Sequence, residues 1–166
     1  MMSSIDTPIL SILRDAGISH RLLPHASEAT TILDAAKQRG VEPDQLVKSM
    51  LLRDMGGQMA LACVPGTASV DPKKVRDLLG CRRMTMVDSK HVQSITGYSP
   101  GMVTPISVFG MLPIFFDPSL ADFEHINISS GSPMAGVELR FQDLVDFCGP
   151  TIADISRDTE TDYEAS

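Results

Sequence analysis

The chain has 166 residues, of which 43% are apolar and 21% are charged, and its formal net charge is −7. This composition is typical of one globular domain with its own core, and no apolar run approaches the roughly 18–20 residues that a membrane-spanning helix needs. The acidic charge disfavours a general nucleic-acid binder, above all a DNA-binding protein.

The cysteines and histidines show no pattern of a structural or catalytic metal site. The three cysteines are widely spaced without a CxxC pair, and the four histidines have no metal-ligand spacing. We therefore expect neither a disulfide framework nor a metal or other cofactor. The first residues lack the basic and apolar regions of a signal peptide, so the sequence predicts a cytoplasmic protein.

The charge is unevenly distributed along the chain. Residues 73–90 hold six of the fourteen basic residues and only two acidic ones, a net charge of +4. From residue 154 onward, five acidic residues face one basic residue, a net charge of −4. A basic segment of this kind can contact a few phosphates, although most charge runs are solvated surface.

The first half of the chain begins with a predicted helix and ends with a predicted pair of strands. Thr7 is a predicted N-cap, Pro8 suits the first helical turn, and Gly17 ends the apolar periodicity that follows. In chain order, the predicted elements are a helix over 8–16, a strand over 18–23, a helix from 30 or 31 to 40, and a hairpin with strands over 46–52 and 58–64.

The second half contains the clearest helix signal. Asp71 is a predicted N-cap, Pro72 suits the first turn, and Gly80 ends the helix. The predicted elements are a helix over 72–79, a strand over 83–87, a helix from 88 or 89 to 95, strands over 113–116, 123–128 and 137–139, and a helix over 141–147. We expect an α/β (α+β) domain over 1–155, with a mixed β-sheet surrounded by helices, and a polar disordered tail over 156–166.

Lys48 is the residue whose position is hardest to explain by structure alone. It lies in the apolar stretch 46–52, on a strand face that it shares with Leu46, Met50 and Leu52. Burying an ammonium group without a partner costs several kcal/mol or more. Lys48 therefore either reaches a sheet edge or a structural carboxylate, or it lines a pocket and faces a polar substrate.

Residues 97–101 match the G-x-S-x-G pattern of a nucleophile elbow, with Ser99 as the nucleophile. That motif needs a strand before the serine and a helix after it. Here a helix is predicted before the serine, and Pro100 and Pro105 prevent a regular helix after it. We therefore do not expect Ser99 to be a nucleophile.

Three polar segments remain in an otherwise apolar sheet protein: the strand around Lys48, the 101–105 loop and the 129–131 turn. A glycine followed by a proline-fixed loop exposes backbone N–H groups in a rigid array. Such an array binds oxyanions, carbonyls or hydroxyls. The alternative is that the loop is only a rigid connection between two elements.

Several short motifs occur in a fixed order along the chain. They are Val47-Lys48-Ser49, Val64-Pro65-Gly66, Leu78-Leu79-Gly80, Thr96-Gly97-Tyr98 followed by Gly101-Met102-Val103-Thr104-Pro105, and Ile128-Ser129-Ser130-Gly131 followed by Val137-Glu138-Leu139. By this ordered set the chain resembles the family of YbaK and prolyl-tRNA synthetase editing domains, from about Pro8 to Ile155. It departs from that family at Leu23-Pro24, where relatives often have a tyrosine, and at 132–134, where a basic residue is common.

The resemblance implies a free-standing aminoacyl-tRNA deacylase that acts in trans and needs no metal. Its substrate would be the acceptor end of a mischarged tRNA, typically tRNA-Pro carrying alanine or cysteine, and prolyl-tRNA synthetase would be a partner protein. Carried over by motif, Lys48 and Gly101 are the expected catalytic residues. The expected substrate-binding residues are Ser49, Met102, Val103, Thr104, Pro105, Ser129, Gly131 and His25.

The chemistry of these residues suits an ester substrate. A cation near the adenosine phosphate would position the ester, and amides of the 101–105 loop would stabilise charge on oxygen. No Asp or Glu stands out as a general base. The resemblance implies that the substrate's own ribose hydroxyl activates water, and activation by a protein group stays open as the alternative. Nothing identifies a group that would deprotonate Lys48 to make it a nucleophile. Two alternatives stay open: a non-catalytic module that binds a nucleotide or a partner protein, and a hydrolase of another small ester or amide.

Overall fold

Two β-sheets form the framework of the chain in the computed structural model, which describes residues 5–158. The strands are β1 (His20–Pro24), β2 (Val47–Asp54), β3 (Met59–Pro65), β4 (Met84–Met86), β5 (Ile114–Phe116), β6 (His125–Ser129), β7 (Ala135–Arg140) and β8 (Thr151–Ile152). The smaller sheet is antiparallel, with the order β1–β7–β6. The larger sheet has the order β4–β2–β3–β5–β8 and is mixed, because β5 runs parallel to both of its neighbours.

Five eight-residue helices pack around these sheets in the described part of the chain: α1 (Pro8–Asp15), α2 (Ile32–Arg39), α3 (Pro72–Leu79), α4 (Ser89–Thr96) and α5 (Phe141–Cys148). The predicted caps are confirmed: Thr7 accepts a hydrogen bond from Leu10 N at 3.2 Å, and Asp71 accepts one from Lys73 N at 3.0 Å. None of the helices within residues 5–158 is long and apolar enough to cross a membrane.

The predicted hairpin is confirmed as the antiparallel pair β2–β3, with Lys48 opposite Val64 and Ser49 opposite Cys63. Side chains alternate across β2, so Lys48 and Ser49 point to opposite faces of the larger sheet. Lys48 shares its face with Met50 and Leu52, as expected. This register carries the Lys48 side chain away from the main core, while Ser49 faces it.

The larger hydrophobic core lies between the two sheets. It joins Leu61 and Phe116 of the larger sheet to Ile126 and Val137 of the smaller one, together with buried residues of α1 and α5. Burying apolar side chains of this size contributes roughly 1.5–3 kcal/mol each. A second cluster covers the opposite face of the larger sheet, where α3 packs against it.

The sequence predicted one mixed sheet, and the structure has two. The antiparallel part, β1–β7–β6, is a separate sheet because its strands pair only with one another. A single parallel bridge, between Leu46 and Asn127, links the two sheets beside the start of β2. That bridge places Asn127 next to the start of the Lys48 strand.

The C-terminal segment remains packed beyond the predicted domain boundary at residue 155. Ser156 pairs with Val70 in an isolated bridge, and the Lys74 ammonium lies 3.0 Å from Asp154 Oδ2 and 3.1 Å from Asp158 Oδ1. The predicted basic segment and acidic segment therefore meet at Lys74. Residues 159–166 of the predicted tail, and residues 1–4 of the predicted domain, lie outside the described residues.

Candidate functional site

A cavity of about 310 Å³ lies where β2, β6, α2 and the loop after α4 meet. Most of its lining is apolar, with a few polar groups that converge on it, as in small-molecule sites generally. The residues that line it are His25, Ala29, Thr30, Thr31, Ile32, Ala35, Arg39, Leu46, Val47, Lys48, Ser49, Met50, Pro100, Gly101, Met102, Val103, Asn127, Ile128, Ser129, Ser132 and Pro133.

The cavity brings together most of the residues predicted for the site, although they come from distant parts of the chain. Its lining includes the predicted residues Lys48, Gly101, Ser49, Met102, Val103, Ser129 and His25. The other three predicted residues, Thr104, Pro105 and Gly131, do not line it. Whether any of the ten contacts a bound substrate stays a prediction.

Lys48 reaches the cavity as a half-buried cation. Its ammonium has no hydrogen bond or ion pair with any residue from 5 to 158. Burial lowers the pKa of Lys48, and the nearby negative charge of Asp44 partly offsets that effect. Asp44 itself accepts hydrogen bonds from Thr67 N and Oγ1. Lys48 is therefore free to bind an oxygen atom of a ligand.

The loop after α4 contributes Pro100, Gly101, Met102 and Val103 to the lining of the cavity. Pro100–Met102 forms a 3₁₀ turn in which Met102 N donates to Ser99 O at 2.8 Å. The N–H group of Gly101 finds no acceptor among residues 5–158. A Cβ atom at Gly101 would have no neighbour within 4 Å. Gly101 thus has open space beside its backbone and a free N–H donor.

Ser99, the serine of the G-x-S-x-G match, is exposed and lacks the setting of a nucleophile elbow. Helix α4 and its C-cap Gly97 precede it, and the 3₁₀ turn follows it. The elbow requires a strand before the serine and a helix after it. The structure supports the rejection of this motif.

Ser129 connects the end of β6 to the Gly101 loop. Its hydroxyl accepts a hydrogen bond from Gly131 N at 3.0 Å and donates to Met102 Sδ at 3.6 Å. Gly131 has a φ of +89°, which favours glycine. A Cβ at Gly131 would also come within 3.3 Å of Thr7 Cβ. Gly131 therefore shapes the turn that presents Ser129 and packs against the segment before α1.

Ser49 and Thr104 also make structural contacts. Ser49 is 8% exposed and its Oγ lies 3.4 Å from Cys63 Sγ. Thr104 is 1% exposed and accepts hydrogen bonds from Ile106 N and Ser107 N, at 3.0 and 3.3 Å. These bonds cap the 3₁₀ turn that begins at Pro105, so both Thr104 and Pro105 hold the base of the loop.

His25 lies in the cavity wall in a defined tautomer. Its Nδ1 lies 2.9 Å from Pro133 O, and a carbonyl oxygen only accepts, so Nδ1 carries the proton. Its Nε2 accepts a hydrogen bond from Arg39 Nε at 3.1 Å. The imidazole is neutral in this arrangement, and its one basic nitrogen is already occupied.

Five polar residues of the cavity lining were not predicted as site residues, and two of them, Arg39 and Asn127, lack the partners that their burial calls for. Arg39 is the last residue of α2 and has no carboxylate partner in the described part of the chain. Asn127 lies in the middle of β6 with 0% exposure, and neither its Nδ2 nor its Oδ1 has a hydrogen-bond partner among residues 5–158. The one available signal was a polar residue between Ile126 and Ile128 in a predicted buried strand.

The ionisable side chains in the cavity wall are Lys48, Arg39 and His25, and the lining contains no Asp or Glu. The cavity is therefore electropositive in a chain of net charge −7. Within residues 5–158, no group of three or more His, Cys, Asp or Glu side chains is placed to hold a metal ion. The arrangement suits a ligand with an anionic group and a polar group that hydrogen-bonds to backbone.

Comparison with known proteins gives consistent matches. The sequence pattern of the family described as "Aminoacyl-tRNA editing domain" matches residues 26–147. The uncharacterized protein YwhH of Bacillus subtilis (strain 168) is 28% identical over 135 residues, which cover 81% of this chain and 85% of YwhH. A proline–tRNA ligase of Bacillus licheniformis is 31% identical over 93 residues, which cover 56% of this chain and only 16% of the ligase.

Solved structures share the whole fold. One described as a "putative trans-editing enzyme for prolyl tRNA synthetase" has a TM-score of 0.78 and 26% sequence identity, and the match covers 93% of this chain and 99% of that one. The match confirms the mixed α/β architecture predicted from the sequence.

Proposed function

The chain belongs to the aminoacyl-tRNA editing domain family, and from that membership and the cavity we propose that it hydrolyses the ester bond of an aminoacyl-tRNA. In this reaction a water oxygen adds to the acyl carbon, and the bond from that carbon to the ribose oxygen breaks. The ribose oxygen takes a proton from the water. The products are a free amino acid and an uncharged tRNA.

The observation that carries this proposal is that a free Lys48 ammonium and a free Gly101 N–H donor belong to one cavity. Lys48 lines the same cavity as Gly101, and neither the Lys48 ammonium nor the Gly101 N–H has a partner among residues 5–158. In our proposal Lys48 holds an oxygen of the terminal nucleotide's phosphate. The Gly101 N–H group then stabilises the charge that develops on the carbonyl oxygen.

The cavity supports activation of water by the substrate itself. No carboxylate lines the cavity, and the basic Nε2 of His25 is held by Arg39 Nε–H. A general base must reach the water with a free lone pair. We propose that the neighbouring hydroxyl of the terminal ribose takes this role, with Lys48 and the Gly101 loop positioning the ester.

The finer proposal is a free-standing enzyme that acts in trans, on tRNA-Pro carrying alanine or cysteine, with prolyl-tRNA synthetase as a partner protein. It is supported by YwhH, a relative of which the chain covers 85%, and by the name of the trans-editing structure. The chain spans about a sixth of the proline–tRNA ligase that it matches, so a contact with such a ligase is part of the proposal. A cytoplasmic location, where charged tRNA is used, also remains a proposal.

A panel of mischarged tRNAs tests the proposal. Each is incubated with the protein, and loss of the radiolabelled ester is followed against spontaneous hydrolysis. We expect faster hydrolysis of at least one misacylated tRNA and no effect on correctly charged prolyl-tRNA. Binding of charged tRNA without ester loss would favour the non-catalytic module, and hydrolysis of simple esters without discrimination would favour a general esterase. Either result would contradict the proposal.

A further inference from the structure

The guanidinium group of Arg39 packs directly against strand β7 of the smaller sheet, at Gly136. A Cβ atom at Gly136, the second residue of β7, would lie 2.1 Å from Arg39 Cζ and Nε. The guanidinium group therefore rests on the strand where any other residue would project its side chain. Glycine inside a strand weakens it and often marks a place where another group approaches closely.

A hydrogen bond to His25 fixes the orientation of the Arg39 guanidinium. Its Nδ1–H is committed to Pro133 O, so Nε2 is available as an acceptor, and Arg39 Nε–H donates to it at 3.1 Å. This bond uses one of the five N–H donors of Arg39. The four donors on its two terminal nitrogens have no protein partner among residues 5–158.

Asn127 stands close to this group on the same face of the smaller sheet. Ser129 is directly opposite Gly136 in the β6–β7 pair, and Asn127 is two residues before Ser129. Diagonal neighbours of this kind are about 7–8 Å apart between Cα atoms. The unpartnered amide of Asn127 and the terminal nitrogens of Arg39 are therefore within reach of one small ligand group.

The positive charge of Arg39 has no compensating negative charge in the cavity lining, so it favours an anionic ligand. Burial lowers the pKa of Arg39 from 12.5 to about 10, so the side chain is still charged at neutral pH. No carboxylate lines the cavity to compensate it. A planar guanidinium with two free terminal nitrogens binds a carboxylate by two parallel hydrogen bonds.

We infer that Arg39 and Asn127 form an inner subsite for a carboxylate on the acyl group, so that the cavity takes aspartyl or glutamyl esters besides small acyl groups. This inference rests on the proposed function, because it places the ester beside Lys48 and Gly101. Arg39 binds the side-chain carboxylate, Asn127 Nδ2 donates to it, and His25 and Gly136 position Arg39.

Stable amide analogues test the subsite without any hydrolysis. Adenosine with a 3′-amino group acylated by aspartate, asparagine or alanine carries the acyl group and the ribose but no phosphate. Binding is measured by calorimetry to the wild-type chain, to Arg39→Met and to the matched control Lys37→Met. Lys37 is an exposed lysine on the same helix, so both variants lose one positive charge.

We expect the aspartyl analogue to bind roughly tenfold or more tightly than the asparaginyl analogue, because only the first carries a charge for Arg39. Arg39→Met should abolish this preference, and Lys37→Met should keep it. Melting curves establish that Arg39→Met is folded. Gly136→Ala is the second variant. It keeps the charge of Arg39, but its added methyl group displaces the guanidinium from β7. It should therefore also abolish the preference for the aspartyl analogue.

Three outcomes overturn the inference. The first is equal binding of the aspartyl and asparaginyl analogues to the wild-type chain. The second is a preference that survives in Arg39→Met. The third is an effect of Arg39→Met that appears only with 5′-phosphorylated analogues and equally for all acyl groups, which would assign Arg39 to the nucleotide phosphate. If the alanyl analogue binds at the cavity in any of these cases, the proposed function survives. If no analogue binds with or without a 5′-phosphate and no mischarged tRNA is hydrolysed, the proposed function itself fails.

Discussion

Replacing Lys48 by methionine separates a catalytic role from a structural one. Methionine keeps most of the aliphatic length of the side chain and removes the charge. If Lys48 binds the substrate phosphate in the transition state, the variant loses a charge-assisted hydrogen bond of about 1.5–3 kcal/mol. At 1.36 kcal/mol for each factor of ten, kcat/KM should fall by roughly 10- to 150-fold.

Stability should change in the opposite direction. Burial lowers the pKa of Lys48 in the folded chain, so the unfolded chain binds this proton more tightly. The charged side chain therefore costs stability at neutral pH, and that cost disappears as the pH rises through the folded pKa to the unfolded value of about 10.4. Lys48→Met should leave the free energy of unfolding at pH 7 unchanged or higher.

The assay is single-turnover deacylation beside urea unfolding, on the wild-type chain, Lys48→Met, Lys48→Arg and the control Arg53→Met. Arg53 is an exposed cation on the same strand, so its loss should leave activity near the wild-type value. Lys48→Arg should recover part of the activity, because it keeps the charge but not the compact ammonium. A loss of about 3–5 kcal/mol in stability, with activity retained in the folded fraction, would identify a structural ion pair and refute this reasoning.

Three further predictions concern the loop, the C-terminal segment and tRNA binding. Gly101→Ala should lower activity on the order of 10²-fold with the fold intact, whereas Gly66→Ala, whose Cβ would lie 2.2 Å from a backbone carbonyl oxygen, should lower the melting temperature. Asp117→Asn should destabilise the chain by about 1.5–3 kcal/mol at pH 7. Burial raises the pKa of Asp117, but hydrogen bonds from four donors lower it overall, so this difference in urea unfolding should vanish as the pH falls through the folded pKa. Filter binding should show weak tRNA affinity that falls with salt, and replacing Lys73 and Lys90 by serine should reduce the salt dependence.

The last prediction departs from the charge pattern of the sequence for a structural reason. Within the basic segment, Lys74 bonds to Asp154, Asp158 and Ser156 O, so it holds the C-terminal segment and is not free for phosphate. Neutralising Lys74 would detach that segment, so a change in tRNA binding could come from altered folding instead of a lost phosphate contact. Lys73 and Lys90 are exposed and carry no such bond within residues 5–158, so they are the better test.

Much of the candidate site was predictable because its signals are local. A lysine in a short apolar strand, a glycine before a proline-fixed loop and a serine after a late strand each stand out within a few residues. The ordered motifs then placed Lys48, Gly101 and Ser129 in one family pattern, and the structure brings all three to one cavity. Thr104 was also singled out by its motif, and its contacts are those of a cap.

Local spacing in the sequence determined the helices, their caps, the β2–β3 hairpin and the face on which Lys48 lies, since these follow from periodicity and from hydrogen bonds between near neighbours. Only the tertiary structure decided that the strands form two sheets and that Arg39 lies over Gly136, close to Asn127. Periodicity tells which face of an element is covered, but it carries no information about the distant segment that covers it. The contact of Arg39 with Gly136 and the burial of Asn127 both depend on such distant segments, and for that reason this part of the cavity became visible only in the folded chain.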